Sequence, residues 1–283
     1  MAGQSKIQNP QSKIRSLAGL KIGVIGAGKM GQALIGGLVA HGVPRRAIRA
    51  ADVSAATRRE VSRRHRVTVV SDAASAVRSA DVVILAVKPQ QCEELLSRIG
   101  PSIRRNQLVI SIAAGITTRW LERRLPGVPV VRVMPNLPAT IGCGYSAIAD
   151  GRRARAHHRR IAVALFGAVG YVVELPERHF DAITAVSGSG PAYVFFLAQI
   201  WQEAAQRLGL PADVAACAID ATLKGSVRLL RCSGEPARVL VGKVASKGGT
   251  TEAALKVFRA RRVAAHFAEA LRAAARRSKQ LST

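Results

Sequence analysis

The chain has 283 residues, of which 48% are hydrophobic and 21% charged, enough length for two ordinary domains and a composition typical of a globular protein. Its four cysteines are widely spaced and form no Cys-x-x-Cys pair, which argues against a zinc site or disulfide framework and predicts a cytoplasmic setting. The net charge of +26 would suit nucleic-acid binding, but the arginines are scattered in small groups without interleaved aromatic residues, so nucleic acid is not expected as a partner.

In chain order, residues 1 to 18 are polar and basic, which predicts a flexible tail rather than a secretory signal. From Leu20 onward, short apolar runs alternate with amphipathic stretches, the pattern of βαβ units and a parallel sheet. The expected strands are Ile22–Ile25, Ile48–Ala51, Thr68–Val70, Val82–Ala86, Leu108–Ser111, Val130–Val133, Tyr145–Ala149 and Tyr171–Leu175.

After Leu175 the pattern becomes entirely helical. The expected helices are Ala192–Leu208, Ala212–Leu230, Pro236–Val244 and one from Thr251 to about Gln280. The break at Glu174-Leu175-Pro176 predicts one domain over 19–176 and a helical domain over 177–283. Because an alanine-rich helical half buries little surface alone, we expect it to pair with a second subunit. The uncharged run Ala182–Gln202 has the length of a membrane span but is only half apolar, so no membrane helix is expected.

A glycine-rich turn follows the first major strand and opens a helix, the context in which such a turn binds a dinucleotide. Gly26 permits the tight turn, Gly28 lets the backbone approach a pyrophosphate, and Gly31 allows close helix–strand packing. The alternative is a glycine-rich turn without a ligand. Gly26, Gly28 and Gly31 are therefore expected to hold a dinucleotide cofactor here.

Asp52 ends the second βαβ strand, 21 residues after Gly31. An acidic residue at this distance typically binds the ribose 2′-hydroxyl of NAD and repels the 2′-phosphate of NADP. Arg58 and Arg59 follow and could neutralise that phosphate. The alternative is that Asp52 only caps the next helix.

Two further segments should reach the same sheet edge, because they follow apolar strands. Ala86-Val87-Lys88-Pro89 forms a stiff strand-to-helix turn, in which Lys88 faces the cofactor or is simply a solvated lysine. Ser111–Gly115 and Met134-Pro135-Asn136 offer small residues against a flat ring, and the Asn136 amide could bind a carboxamide.

Two motifs lie in the helical half. Ser187-Gly188-Ser189-Gly190-Pro191 predicts a tight helix start, for which a structural role is preferred. Ser246-Lys247-Gly248-Gly249-Thr250-Thr251 predicts a nest of backbone N–H groups that could grip a small carboxylate, with the Thr251 hydroxyl facing a substrate atom. The alternative for this segment is an ordinary helix cap with Glu252 in the first turn.

Taken in order, the segments GAGKMG, AVKPQ, SIAAG, RVMPN, DAITAVSGSGPAY and SKGGTT resemble those of pyrroline-5-carboxylate reductases. The resemblance implies a Rossmann-type, doubly wound, mostly parallel sheet, followed by an all-helical domain that interlocks with its partner in a homodimer, often assembled further into decamers. It implies reduction of 1-pyrroline-5-carboxylate to L-proline with NADPH or NADH. None of the six histidines lies in these motifs, and reduction of a protonated cyclic imine needs little more than hydride, orientation and a hydrogen bond.

The resemblance also implies roles for residues. By matched position, the cofactor would contact Ile25, Gly26, Ala27, Gly28, Lys29, Met30, Lys88, Ala114 and Asn136. The substrate carboxylate would lie on the loop from Ser246 through Gly248, Gly249 and Thr250, with Thr251 near the ring nitrogen and Glu177 close to the substrate. The chain departs from the family pattern where Lys247 replaces the usual proline and where Asp52 replaces the Ser or Thr of NADP-using members. No metal is expected.

Two other functions stay open. A β-hydroxyacid dehydrogenase shares the glycine turn and a helical second half, and would need a catalytic lysine, for which Lys224 is the central candidate. The other open function is that of a relative that binds a nucleotide or a nucleic acid and has lost the catalytic activity.

Overall fold

A computed structural model describes residues 7–8, 17 and 19–282 of the chain. It divides into two compact units, Met1–Ser189 together with Ala274–Thr283, and Gly190–Ala273. Most of the expected tail, residues 1 to 18, lies outside the described residues, apart from Ile7–Gln8 and Leu17. The domain boundary expected at Pro176 stays a prediction.

The first unit is built around one nine-stranded sheet with the strand order β1-β9-β8-β7-β6-β5-β2-β3-β4. Neighbouring strands are parallel except at β1·β9 and β7·β8. The strands are β1 (Ile7–Gln8), β2 (Ile22–Ile25), β3 (Ile48–Ala51), β4 (Thr68–Val70), β5 (Val82–Leu85), β6 (Leu108–Ser111), β7 (Val130–Met134), β8 (Gly144–Asp150) and β9 (Gly170–Glu174).

The central strands are apolar throughout because helices cover both faces of the sheet. Every residue of β2, β5 and β6 is buried. Val82 and Ile84 of β5 pack into one hydrophobic cluster, whereas Val83 and Leu85 pack into another. A continuous buried run of this kind belongs to a parallel sheet with two covered faces, and it confirms the expected Rossmann-type architecture.

Seven helices connect these strands or follow them. They are α1 (Lys29–Ala40), α2 (Ala55–His65), α3 (Ala73–Arg78), α4 (Cys92–Ile99), α5 (Thr118–Arg124), α6 (Ala156–Gly167) and α7 (Phe180–Ile183). A π-helical turn, Thr184–Gly188, follows α7 and is the last regular segment before the second unit.

The second unit is all helical. Its helices are α8 (Gly190–Arg207), α9 (Ala212–Ser233), α10 (Ala237–Val244), α11 (Thr250–Ala260) and α12 (Val263–Leu281), the end of α12 belonging to the first unit. The single helix expected from Thr251 to Gln280 is wrong, because Arg262 adopts a left-handed conformation with φ of 52°. This break separates α11 from α12 where the sequence has neither glycine nor proline.

The helices of this unit leave many large apolar side chains exposed. Among the residues that the structure describes in α8, only Ala205 is buried, and α10 and α11 bury none. Exposed apolar patches of this kind mark interaction surfaces. The exposed side chains include Val194, Phe195, Phe196, Leu197, Ile200, Trp201, Val227, Leu229, Leu230, Val257, Phe258 and Phe267.

One stretch among the described helices, Glu177–Arg207, is long and apolar enough by length and composition to cross a membrane. Core helices of globular proteins meet the same criterion, so this observation alone is weak evidence for a membrane span.

The four cysteines differ in exposure. Cys92, at the start of α4, is buried, and desolvation raises the pKa of its thiol to about 11. Cys143 in the first unit is exposed, as are Cys217 and Cys232 in the second.

Candidate active site

The glycine turn between β2 and α1 needs glycine at two positions. Gly26 has a φ of 97°, and a Cβ there would lie 2.6 Å from the Ala86 carbonyl oxygen. A Cβ on Gly31 would lie 2.2 Å from the carbonyl oxygen of Gly26. Substitution at either position would therefore force the turn apart.

Gly28 differs from these two because space beside it is open. No atom lies within 4 Å of a Cβ built on Gly28. Gly28 is also the N-cap of α1, with no side chain capping the helix and no acidic residue in its first turn. No side chain therefore caps the first N–H groups of α1, which is the arrangement that a pyrophosphate site requires.

A cleft of about 280 Å³ opens at this turn. It lies at the carboxyl ends of β2, β3 and β5, where the strand order reverses and α/β proteins bind their ligands. Its lining residues are Ile25, Gly26, Gly28, Ala51, Asp52, Val53, Ser71, Ala73, Ala86, Val87, Lys88, Gln91, Glu94, Leu95 and Arg98.

The cleft brings together part of the cofactor set expected from the sequence. The expected residues that line it are Ile25, Gly26, Gly28, Asp52, Ala86, Val87 and Lys88. The side of the cleft next to α4 is not predicted from the sequence; it is formed by Gln91, Glu94 and Arg98. The one sequence feature that could have indicated these residues as part of the cleft is their position shortly after the Lys88-Pro89 turn.

Both carboxylate oxygens of Asp52 accept backbone hydrogen bonds. Oδ2 accepts from the Ala27 N–H at 2.9 Å and Oδ1 from the Ser54 N–H at 2.9 Å. Ser54, rather than Asp52, is the N-cap of α2, since its hydroxyl accepts from the Thr57 N–H at 3.2 Å. Asp52 therefore fixes the glycine turn while lining the cleft. The Arg58 guanidinium donates to the carbonyl oxygens of Asp52 and Val53.

Several expected cofactor residues do not line this cleft. Ala27 is fully buried and acts through its N–H group. Lys29 lines a separate groove of about 540 Å³ beside α1 and α2, together with His41 and Arg64. Met30 packs against the hydrophobic core. Gly31, Pro89, Ala114 and Asn136 are also absent from the lining.

Asn136 follows β7, and its side-chain amide makes hydrogen bonds within the protein. Its Nδ2 donates to the Ser187 carbonyl oxygen and to the Ser187 hydroxyl, each at 3.2 Å. Its Oδ1 accepts from the Tyr145 N–H at 2.8 Å. Ala114, by contrast, is exposed in the loop after β6.

Glu177 lies in a buried ion-pair cluster rather than in an open site. Its Oε1 accepts from the Arg132 guanidinium at 2.9 Å and from the Thr118 N–H at 2.9 Å. The Thr118 hydroxyl donates to the other carboxylate oxygen. Arg132 is 3% exposed, and its guanidinium lies 4.7 Å from the centre of the Phe180 ring. Because a buried arginine needs a paired anion, Glu177 stabilises the packing of α5, β7 and α7.

The expected carboxylate nest lies at the start of α11 in the second unit. Gly248 has a φ of 74°, and Gly249 is the N-cap of the helix, with its N–H donating to the Ser246 carbonyl oxygen at 3.0 Å. The Glu252 carboxylate accepts from the Gly248 N–H at 2.6 Å. The Glu252 carboxylate in the first turn is what the alternative of an ordinary helix cap predicts, so the binding of a substrate carboxylate at this loop stays a prediction.

The surroundings of Lys224 do not fit the catalytic lysine that a β-hydroxyacid dehydrogenase would need. Lys224 forms an ion pair with Asp220 at 2.6 Å, and its side chain is 75% exposed on α9. Within the described part of the chain, no group of three or more His, Cys, Asp or Glu side chains could hold a metal ion.

Two family models match the chain in separate regions. Residues 177–281 match the pyrroline-5-carboxylate reductase dimerisation family, and residues 21–115 match the family described as NADP oxidoreductase coenzyme F420-dependent. The second half is therefore a dimerisation domain of a known type.

Similar proteins match over nearly the full length. A pyrroline-5-carboxylate reductase from Pseudomonas aeruginosa is 42% identical over 93% of this chain and 97% of its own. One from Arabidopsis thaliana is 36% identical over 93% and 95%.

Among solved structures, a pyrroline-5-carboxylate reductase from Coxiella burnetii superposes with a TM-score of 0.86, at 33% identity over 93% of this chain and 99% of its own. The Plasmodium falciparum pyrroline carboxylate reductase with NADP bound gives a TM-score of 0.85, at 26% identity over 94% and 99%. With these matches, the glycine-turn cleft and the helical second unit, the chain belongs to the pyrroline-5-carboxylate reductase family.

Proposed function

We propose that this chain reduces 1-pyrroline-5-carboxylate to L-proline, the last step of proline biosynthesis, with NADH or NADPH as the hydride donor. The observation that carries the proposal is the open glycine-turn cleft at the switch point of the sheet, in a chain of this family. The relative from Plasmodium falciparum that has NADP bound supports the use of a nicotinamide dinucleotide.

The first unit would bind and orient the dinucleotide, which supplies the hydride. Its pyrophosphate would lie on the N–H groups at the start of α1, next to Gly28, where no side chain intrudes. Asp52 would face the adenosine ribose from the cleft wall, with Lys88 on the opposite strand end. Ala114, in the exposed loop after β6, would contact the nicotinamide side.

The second unit would bind the imino acid. The substrate carboxylate would displace the Glu252 carboxylate from the Gly248 N–H and lie against Gly249 and Thr250. The Thr251 hydroxyl would orient the ring nitrogen, so that catalysis consists mainly of positioning. Lys247 would add a cation beside the substrate carboxylate.

The functional form is proposed to be a cytoplasmic homodimer, with further assembly into decamers. The dimerisation-family match and the exposed apolar side chains of α8 support pairing. Binding of nucleic acid or of a membrane is not part of the proposal.

The test is a steady-state assay of the purified chain with the imino acid and each dinucleotide. We expect turnover with at least one of them, and a fall in kcat of about a hundredfold for Thr251→Ala, the size of effect that loss of a positioning contact produces. Thr222→Ala, an exposed threonine on α9, is the matched control. Absence of turnover with both dinucleotides would overturn the proposal.

A further inference from the structure

The amide of Asn136 joins two segments that are 51 residues apart. Its Nδ2 donates both to the carbonyl oxygen and to the hydroxyl of Ser187. Its Oδ1 accepts from the Tyr145 N–H at the start of β8. The amide is therefore held by contacts within the protein and does not line the glycine-turn cleft, although the sequence suggests that it binds a carboxamide.

Pro191 removes one donor that the Ser187 carbonyl would otherwise have. In an α-helix, the carbonyl of residue 187 would accept from the N–H of residue 191, which is Pro191 and has none. A carbonyl without a partner away from water is costly. Asn136 supplies the hydrogen bond that Pro191 cannot.

The segment held in this way is the π-helical turn Thr184–Gly188. The Ser189 N–H donates to the Thr184 carbonyl oxygen at 2.8 Å, five residues back. On the other side of the turn, a Cβ on Gly188 would lie 2.7 Å from the Met134 methyl carbon. Met134, the last residue of β7, and Asn136, two residues later, thus both contact the turn.

The location of the turn links it to the reaction. π-Helical turns are rare and are found most often at functional sites. Asn136 follows the carboxyl end of β7, which is parallel to β6 and therefore ends at the edge of the sheet where ligands bind. The turn is also the last segment of the first unit before α8 begins.

We propose that Asn136 is a positioning residue for the reduction, acting through Ser187 and the π-helical turn rather than by contact with the dinucleotide. The inference rests on the proposed function, because the reduction is the activity it would affect. In this proposal, two motifs of the sequence share one role, Met134-Pro135-Asn136 and Ser187–Pro191. Together they hold Thr184–Gly188 in a π-helical conformation at the ligand edge of the sheet.

The first experiment compares Asn136→Ala and Asn136→Asp with the wild type. Both variants lose the donor, whereas Asn136→Asp keeps an acceptor for Tyr145. We expect both to lower kcat by about ten- to a hundredfold, with the KM for the dinucleotide changed by less than about twofold. Backbone hydrogen exchange in 184–190 should become faster in both variants, without any ligand present. Ser187→Ala, which keeps the carbonyl hydrogen bond, is the matched control and should show the smaller effect.

The second experiment introduces Pro191→Ala, which gives the Ser187 carbonyl an N–H donor within the helix. In the Pro191→Ala background, we expect Asn136→Ala to have effects on backbone exchange in 184–190 and on kcat that are several-fold smaller than its effects in the wild-type background. A double-mutant cycle measures this coupling between the two positions. Purely additive effects would overturn the proposal. So would a raised dinucleotide KM with unchanged kcat and exchange, since that result indicates direct contact.

The outcomes separate this proposal from the proposed function. If the wild type does not turn over the imino acid, the proposed function fails and the catalytic role of Asn136 fails with it. If the wild type is active but exchange in 184–190 is the same in Asn136→Ala as in the wild type, only the role of Asn136 is overturned.

Discussion

Asp52 has a structural role in the glycine turn, and we expect it also to distinguish the two dinucleotides. Its oxygens accept from the N–H groups of Ala27 and Ser54, so it fixes the glycine turn. Its negative charge nevertheless remains on the wall of the cleft. A 2′-phosphate placed there would be repelled, whereas a ribose hydroxyl could donate to the carboxylate.

Asp52→Ser should therefore shift preference toward NADPH. We expect the ratio of kcat/KM for NADPH to that for NADH to rise by about tenfold, the effect of 1.4 kcal/mol of relieved repulsion. Steady-state kinetics with both dinucleotides measures this ratio. Asp213→Ser removes the same charge from an exposed position at the start of α9 and serves as control. An unchanged ratio in Asp52→Ser would mean that Asp52 does not face the ribose.

A second residue with a predictable effect is His158, in the first turn of α6. Its Nδ1 accepts from the Arg155 N–H at 3.0 Å, which requires a neutral ring. Desolvation lowers the pKa of His158 below its ordinary value of 6.5, with His157 and Arg155 acting in the same direction and Asp150 opposing them.

Because the folded-state pKa of His158 is lowered, the unfolded chain binds the proton first as the pH falls through 6.5. The free energy of unfolding should therefore decrease from about pH 7 downward until the folded-state pKa is reached. His158→Gln keeps an acceptor for Arg155 and cannot become charged, so denaturant titrations should show a shallower pH dependence. The decrease should not vanish, because burial also lowers the pKa of His65.

His179→Gln, at an exposed position in the same unit, is the control for this measurement. A pH dependence as steep in His158→Gln as in the wild type would contradict the role given to His158.

At the scale of elements, we expect the three glycines of the glycine turn to respond differently to substitution. Gly26 and Gly31 are required by the fold, whereas Gly28 has open space beside it. Gly28→Ala should leave the free energy of unfolding within about 1 kcal/mol of the wild type, the cost range of a Gly-to-Ala change without a clash. The KM for the dinucleotide should rise at least about tenfold, because the new methyl group occupies the space that a pyrophosphate needs.

Chemical denaturation and dinucleotide titration of Gly28→Ala measure the two quantities separately. Gly225→Ala, within α9 and also without a nearby atom, is the matched control. Unaltered dinucleotide binding in Gly28→Ala would show that the pyrophosphate does not lie on this turn.

The strands and most helices could be predicted from the sequence because their signals are local. Apolar runs bounded by turn residues placed β2 through β9 to within about one residue. The break at Arg262 could not be predicted, since no glycine or proline marks it. The strand Ile7–Gln8 depends on pairing with β9, far away in the chain, and was expected to be part of a flexible tail.

The site could also be predicted only where its sequence signals are local. Residues in the turns directly after β2, β3 and β5 were correctly placed at one cleft. The partners of Glu177, Thr118 and Arg132, lie 59 and 45 residues away in sequence, and Ser187 lies 51 residues from Asn136, so these contacts have no local pattern. The sequence therefore cannot predict these contacts, and the ligand roles expected of Glu177 and Asn136 stay predictions.

At the scale of the whole molecule, the exposed apolar side chains of the helical unit predict its assembly. Phe196 on α8 is 62% exposed, in a domain matched by a dimerisation family. We expect light scattering to show a dimer or larger assembly for the wild type, and Phe196→Asp to shift the mass toward the monomer with loss of turnover. A charge buried in such an interface costs several kcal/mol.

Ile141→Asp places the same charge on the first unit, where Ile141 is 77% exposed, and should leave the mass unchanged. A monomeric wild type, or an unchanged mass for Phe196→Asp, would contradict this assignment of the interface.

The different burial of the four thiols gives the molecule its own set of reporters for assembly. Cys92 is buried with a raised pKa, so alkylating reagents should react with it last. Cys143 lies in the first unit and supplies a reference rate, whereas Cys217 and Cys232 lie on α9 of the second. The ratio of alkylation rates between these positions, followed during dilution, would therefore report whether a partner subunit covers α9, because only covered thiols should react faster as the subunits separate.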